Sequence, residues 1–162
     1  MELFNRVVEL KTIKIKENLN MSILKLKWMG DSKGSGEFVR ESDNEKLNIA
    51  IPTASGGSGE GFAPRDLLGS SAGACLALTL VNLMEVRKLP VTDFSMETEV
   101  TKNDNTYSIT HYPKIRLSSE ATEKEQQGAK RAVESADKRC TIGNVLKEAG
   151  VKITIKPSVT ID

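Results

Sequence analysis

The chain has few aromatic side chains, little cysteine and no marked excess of charge of either sign. Only 4% of its 162 residues are Phe, Trp or Tyr, whereas proteins that bind single-stranded nucleic acid usually stack the bases on aromatic rings. The 23 basic residues almost balance the 22 acidic residues, and the net charge is +1. We therefore expect neither nucleic acid nor an anionic membrane as a partner.

The sequence also lacks the patterns that direct a chain to or through a membrane. Residues 1–11 carry four charged side chains and no continuous apolar stretch of the secretory type. The longest apolar run, around Cys75, contains Asn82 and Glu85, so it predicts a core helix rather than a membrane span. We expect a cytoplasmic protein with a single domain over residues 1–162.

Two cysteines and one histidine are the main candidates for chemistry. Two cysteines are too few for the disulfide framework of a small secreted domain. His111 lies in a strand pattern without a paired ligand, which does not favour a metal site. Cys75 in a buried helix and Cys140 at a helix start suggest a redox pair, and the alternative is that both are inert core residues.

The first third of the chain is predicted to be rich in β-strand. Alternation of apolar and polar residues indicates strands at 7–17, 22–28, 34–40 and 46–51. The glycine-rich segment that follows, 52–61, predicts a loop. This loop lacks the spacing of the known phosphate-binding loops, so we expect it to cover or enter a site.

A long helix is predicted from Pro64 to about Arg87. Proline suits the first turn of a helix, and Asp66 lies near the positive end of the helix dipole. Apolar residues cover most of its circumference, which predicts burial on nearly all sides. The small residues at 69–74 would let another backbone approach closely just before Cys75.

The second half of the chain predicts a hairpin, two helices and a strand. The hairpin strands are at 92–100 and 107–117, and Ser118 or Ser119 is expected to cap the next helix. A short helix follows Cys140, and then a strand at 151–156. Because Cys140 would lie at the start of that helix, we expect the dipole to favour its thiolate. The order of elements predicts an α+β fold.

Two segments carry the cysteines in a recognisable pattern. They are Pro64-Arg-Asp-Leu-Leu-Gly-Ser-Ser-Ala-Gly-Ala-Cys75 and Ala136-Asp-Lys-Arg-Cys140-Thr-Ile142, with the cysteines 65 residues apart. The first resembles the Pro-x-Glu-Leu-Leu-x-x-x-x-Gly-x-Cys signature of the osmotically inducible protein C and organic hydroperoxide resistance (OsmC/Ohr) family. The second resembles that family's second-cysteine segment, and the resemblance covers most of the chain.

The resemblance implies a two-layer α+β fold, with antiparallel sheets around a long central helix, and an intertwined homodimer. It also implies thiol-dependent reduction of organic hydroperoxides, with Cys75 as the peroxidatic residue and Cys140 as the resolving residue. Dithiols such as dihydrolipoamide would supply the reducing equivalents, without haem, flavin or metal. Two alternatives stay open: a non-catalytic dimer that binds an apolar or acyl ligand, and a structural dimer with inert cysteines.

The charged residues beside the first motif depart from the family pattern. In the OsmC and Ohr branches the residue after the motif's proline is a glutamate, which holds an arginine against the reactive thiolate. Here that position is Arg65, and the acid follows at Asp66, which turns the side chain by about 100° around a helix. The basic partner of Cys75 is expected to be Lys33, Arg40 or Arg65.

Overall fold

The computed structural model describes residues 21–104 and 106–162. The strand predicted at 7–17 lies outside these residues. The chain divides into two compact units, of which the first ends at Pro64 and the second runs from Arg65 to Asp162. Each unit is described by itself.

The first unit is an antiparallel meander of three strands, β1 (Leu24–Met29), β2 (Ser35–Arg40) and β3 (Lys46–Ala50). In its register Leu26 lies opposite Phe38, and Phe38 lies opposite Leu47. The strands predicted at 22–28, 34–40 and 46–51 are therefore confirmed. The loop predicted after them is also present, and it includes one turn of 3-10 helix, Thr53–Ser55.

The second unit contains the remaining helices and strands of the described chain. They are α1 (Pro64–Val86), β4 (Val91–Lys102), β5 (Tyr107–Leu117), α2 (Glu123–Arg139), α3 (Thr141–Glu148), β6 (Lys152–Ile155) and β7 (Ser158–Ile161). β4 and β5 form the predicted hairpin, and β6 and β7 pair in parallel with successive stretches of β5. The predicted final strand is thus present as two short strands on either side of Pro157.

The expected cap of α2 is wrong. Ser118 and Ser119 lie in the turn after β5, and the helix begins at Glu123 with Thr122 as its N-cap. The Thr122 hydroxyl accepts from the Glu125 N–H at 3.3 Å, while the Glu125 carboxylate accepts from the Thr122 N–H at 2.7 Å. This reciprocal capping box satisfies two N–H groups at once, which a single serine cap does not.

The core of the second unit lies between α1, α2 and β5. Apolar residues of all three elements are buried there: Leu76, Leu80, Ile115, Leu117, Ala129, Ala132, Val133 and Ala136. Burial of α1 on nearly all sides is wrong, because Leu78 is 73% exposed and Val81 is 45% exposed. By length and composition alone α1 could cross a membrane, a test that core helices also pass.

The small residues of α1 allow β4 to cross it closely. A Cβ atom at Gly69 would lie 2.4 Å from Val100 Cγ2, and one at Gly73 would lie 2.9 Å from Thr98 Oγ1. Both distances are far shorter than normal van der Waals contact. The approach predicted before Cys75 is therefore close, but it is made by side chains of β4 rather than by a backbone.

We predict that Gly69→Ala lowers the free energy of unfolding. Alanine in a helix interior is favoured over glycine by about 1 kcal/mol, but the clash with the stiff β-branched Val100 should cost about 1–3 kcal/mol. Gly128→Ala is the control, because its Cβ would meet only the end of the flexible Leu89 side chain, at 3.1 Å. Urea unfolding followed by circular dichroism measures both. Equal stabilisation by both substitutions would contradict the close packing of α1 on β4.

Candidate functional site

The two cysteines meet at one site within the second unit. Cys75 lies in the middle of α1, and Cys140 lies between α2 and α3. The Ile142 N–H donates a hydrogen bond to Cys75 Sγ at 3.5 Å. The Cys75 side chain is also close enough to Cys140 to raise the pKa of the Cys140 thiol. The structure therefore brings together two residues that are 65 positions apart in the sequence.

Cys140 reaches this site because it is both the C-cap of α2 and the N-cap of α3. Its backbone is extended, with φ −70° and ψ 99°, so the chain turns between the helices at a single residue. Its Sγ accepts from the Gly143 N–H at 3.3 Å. A Cβ atom at position 143 would lie 3.0 Å from that sulfur, so glycine is what lets the N–H approach.

The two thiols differ in exposure. Cys140 is 3% exposed and belongs to the hydrophobic core, whereas Cys75 is half-buried and packs against that core from α1. Ile142, in the first turn of α3, is 38% exposed beside the site. Cys75 is thus the more accessible sulfur, in mainly apolar surroundings.

The sequence predicts that the helix dipole favours the Cys140 thiolate, but the structure favours the protonated thiol. Burial, with the hydrogen bond to Cys75 as the next cause, raises the pKa of the Cys140 thiol to about 11. The hydrogen bond from the Gly143 N–H lowers the pKa, but only in part. The helix terminus therefore does not overcome desolvation. Cys140 keeps its proton at neutral pH.

An ion pair that sequence reasoning missed lies next to Cys140. Asp137, in the last turn of α2, accepts a hydrogen bond from Lys147 Nζ of α3 at 2.6 Å. The carboxylate of Asp137 raises the pKa of Cys140 and also acts on His111. The sequence could have indicated Asp137, because it lies one helical turn before Cys140. Spacing along the chain could not identify Lys147 as its partner.

His111 is a second residue near the site that sequence reasoning did not use. It is 2% exposed in β5, and its Nδ1 lies 2.9 Å from the Thr98 hydroxyl oxygen on β4. Burial lowers the pKa of His111, and Asp137 opposes this shift while Lys147 adds to it. Over residues 21–104 and 106–162, no cluster of three or more His, Cys, Asp or Glu side chains is placed to hold a metal ion.

Two of the predicted charged residues lie on the same helix as Cys75 but far along it. Arg65 and Asp66 are exposed in the first turn of α1 and line a cavity of about 680 Å³ between α1 and β4. At 1.5 Å of rise per residue, about 15 Å of helix separates Arg65 from Cys75. Neither side chain can therefore contact the Cys75 sulfur of its own chain.

The other charged candidates belong to the first unit. Lys33 is exposed in the turn after β1, and its backbone N–H donates to Asp31 Oδ1 at 2.8 Å. Arg40 ends β2 and binds Asp43 through two hydrogen bonds of 2.6 and 2.8 Å. The Arg40 guanidinium thus has a local partner within the meander, and the backbone of Lys33 is held in the turn.

Comparison with known proteins assigns the chain to a family. A family model described as OsmC-like protein matches residues 57–156. The chain belongs to the OsmC-like protein family. YmaD of Bacillus subtilis, described as an uncharacterized protein, is 32% identical over 143 residues, which cover 85% of this chain and 93% of YmaD.

Solved structures show that this OsmC-like protein has the fold of the family. An OsmC-like protein of unknown function from Vibrio cholerae matches 86% of the chain and 99% of its own, with a TM-score of 0.69 and 11% identity. An organic hydroperoxide resistance protein OsmC from Legionella pneumophila matches 84% of this chain and 96% of its own, with a TM-score of 0.63 and 21% identity. OhrB of Bacillus subtilis matches 84% of this chain and 98% of its own, with a TM-score of 0.54 and 15% identity. The predicted α+β OsmC-like fold is confirmed.

We predict that His111 makes this OsmC-like protein sensitive to mild acid. The pKa of His111 is lowered in the folded protein, so the unfolded chain binds its proton more readily. Stability is then complete above the unfolded pKa of about 6.5 and falls as the pH drops from there towards the folded pKa. His111→Gln, which can still bond Thr98, should lose less stability between about pH 7 and pH 5. Urea unfolding at each pH gives the two slopes, and identical slopes would contradict the prediction.

Proposed function

We propose that this OsmC-like protein reduces organic hydroperoxides, with Cys75 as the attacking thiolate and Cys140 as the resolving thiol. The observation that carries the proposal is the shared site of the two sulfurs, in which the Cys75 thiol interacts with that of Cys140 and accepts from the Ile142 N–H. A neighbouring thiol can trap a sulfenic acid before it oxidises irreversibly. The Legionella and OhrB proteins are named for organic hydroperoxide resistance, which supports the same chemistry here.

The roles of the two sulfurs follow from exposure and protonation. Cys75 is the sulfur that a substrate reaches, because Cys140 is 3% exposed. The proton stays on Cys140, whose S–H can donate to a thiolate at Cys75. Together with the Ile142 N–H, this gives the Cys75 thiolate two hydrogen-bond donors.

The proposed reaction has three balanced steps. The Cys75 thiolate attacks the outer oxygen of ROOH, the O–O bond breaks, and the alkoxide leaves as ROH after taking a proton from solvent. Cys140 sulfur then attacks the Cys75 sulfenic acid, and its proton and the leaving hydroxide form water as the disulfide closes. A dithiol of the dihydrolipoamide kind reduces the disulfide by two exchange steps and becomes a disulfide itself.

No cofactor takes part in these steps, because both electrons come from sulfur. The reducing conditions of the cytoplasm, which keep free thiols reduced, suit an enzyme of this type. We therefore keep a cytoplasmic location as part of the proposal. The apolar surroundings of Cys75 suit an alkyl hydroperoxide better than hydrogen peroxide.

The charged partners of Cys75 require a second copy of the chain in this proposal. Arg65 and Asp66 are about 15 Å along α1 from Cys75, so they can act at a thiolate only across an interface. We propose that Asp66 takes the place of the family's glutamate and orients a basic residue, with Arg65, Lys33 and Arg40 as the candidates.

Exposed apolar side chains support the homodimer. On β1, Leu24, Leu26 and Trp28 share one face of the strand, and they are 57%, 53% and 37% exposed. On α1, Leu78 is 73% exposed. Apolar surface of this kind on a single chain is typical of a face that another protein covers.

We predict that Leu26→Gln weakens self-association. A polar amide on the apolar face of β1 would be desolvated in the dimer, so the dissociation constant should rise about tenfold or more. Lys27→Gln is the matched control, because residue 27 points to the opposite face of the strand. Sedimentation velocity over a dilution series measures both. A wild-type protein that stays monomeric, or equal effects of the two substitutions, would count against an interface at β1.

A second candidate function is binding of an apolar or acyl ligand. The cavity of about 680 Å³ along α1 favours it, since Phe94, Met96 and Val100 line its β4 side and Arg65 stands at one end. This volume lies within the usual range of small-molecule sites. The cavity and the cysteine site are separate features, so the two functions make different predictions.

We predict that the protein loses two thiols per chain when it meets one equivalent of cumene hydroperoxide. Cys140→Ser should instead accumulate a sulfenic acid that dimedone traps. In Cys75→Ser the rate of reaction with the peroxide should fall by about a thousandfold or more. Thiol titration and intact-mass spectrometry follow the products. Survival of both thiols would refute the peroxidase, and a retained acyl chain in native mass spectrometry of that unreactive protein would support ligand binding instead.

A further inference from the structure

Side chains on both sides of Cys140 form contacts that connect α2 to α3 at their junction. Asp137 lies three residues before Cys140, and Lys147 lies seven residues after it. The two side chains meet at 2.6 Å and are only 37% and 34% exposed. A second tie is the Asn144 side-chain amide, which donates to the Lys138 carbonyl at 3.1 Å. These contacts hold α3 at a set angle to α2.

The same ion pair lies close to the buried thiol, since its acidic member acts on the Cys140 proton. The groups that act on Cys140 come from three elements: Cys75 from α1, Asp137 from α2 and the Gly143 N–H from α3. Lys147 reaches the site from α3 by binding Asp137, and His111 of β5 faces both members of the pair. The carboxylate of Asp137 therefore acts on the Cys140 proton, while Lys147 partly neutralises that carboxylate.

We propose that the Asp137–Lys147 ion pair positions Cys140 against Cys75 and controls how readily Cys140 releases its proton when the disulfide forms. Asp137 and Lys147 are positioning residues, because the structure records no contact of either with a sulfur among the described residues. This inference rests on the proposed peroxidase function for its biological meaning. Its physical content, a buried thiol under the control of a neighbouring ion pair, can be tested without peroxide.

The ion pair has opposite tasks in the two half-reactions. While Cys75 attacks the peroxide, a protonated Cys140 is useful because its S–H can donate to the Cys75 thiolate. Once the sulfenic acid has formed, the same proton must go to the leaving hydroxide as the S–S bond forms. Asp137 favours the proton on sulfur, and Lys147 limits that effect. The ion pair thus keeps the proton affinity of Cys140 at an intermediate level that serves both steps.

The first test measures the titration of Cys140 in a Cys75→Ser background, where it is the remaining thiol. Asp137→Asn should lower the pKa of Cys140 and Lys147→Gln should raise it, each by about one unit, which is a tenfold change in thiolate fraction. Glu148→Gln, which removes an exposed acid from the same helix as Lys147, is the matched control and should leave it unchanged. Ultraviolet absorbance of the thiolate against pH gives all three values.

Opposite shifts in the two variants are the decisive result. A merely structural role would move the pKa in the same direction in both variants, or in neither, because each substitution breaks the same ion pair. Either of these outcomes overturns the electrostatic part of the proposal. Asp137→Glu keeps the charge and can keep the pair, so it should titrate close to the parent protein and shows that folding is not the cause.

The second test measures disulfide formation in the protein with both cysteines. Diamide drives the Cys75–Cys140 disulfide without peroxide, so this test still works if the peroxidase proposal fails. Lys147→Gln should slow closure about tenfold, because it loses the tie between the helices and also makes the Cys140 proton harder to release. Asp137→Asn loses the same tie but eases proton release, so it should slow closure less. The rate at which Cys75 first reacts should stay the same. Closure at the parent rate in both variants would overturn the positioning role.

Discussion

The contact between the Cys75 and Cys140 thiols is the interaction on which the rest of the site depends. It exists because the chain leaves α2 and enters α3 at a single extended residue, and that residue is Cys140 itself. A longer connection would move the sulfur away from α1 and would also remove the first N–H groups of α3 from the site. The backbone of this corner therefore places both the Cys140 thiol and the Ile142 N–H beside the Cys75 thiol.

Burial decides the chemistry of that contact. A helix N-terminus usually stabilises a negative charge by 0.3–1 kcal/mol. The rise in the pKa of Cys140 to about 11 corresponds to roughly 3 kcal/mol in the other direction. Desolvation is larger, so the proton remains on the buried sulfur. Two thiols in contact thereby acquire different roles, one as the accessible acceptor and the other as the protonated donor.

The packing of α1 explains why the site has an accessible side. Its glycines let β4 lie close to the first half of the helix, while the larger side chains of the second half pack against α2 and β5. Cys75 lies where these two kinds of packing meet. One face of α1 keeps exposed apolar residues such as Leu78, which agrees with the proposal that a second chain covers it.

Several elements could be predicted from the sequence because their signals are local. Alternation predicted the strands of the meander and the hairpin, and the apolar run predicted α1. The cap of α2 was misplaced since several serine and threonine residues lie close together, and only the reciprocal bonds of Thr122 and Glu125 select one of them. The exposed face of α1 was missed because composition does not show which neighbours a helix has.

Local patterns in the sequence were enough to predict most of the helices and strands, the two cysteine motifs and, through these motifs, the family. The three-dimensional structure was needed to show that Cys75 and Cys140 share one site, that Cys140 keeps its proton, and that Asp137 acts on it while Lys147 binds Asp137. The physical reason is the range of the forces involved. Periodicity and capping act between residues a few positions apart, whereas desolvation and ion pairing depend on distances in space that spacing along a chain does not fix.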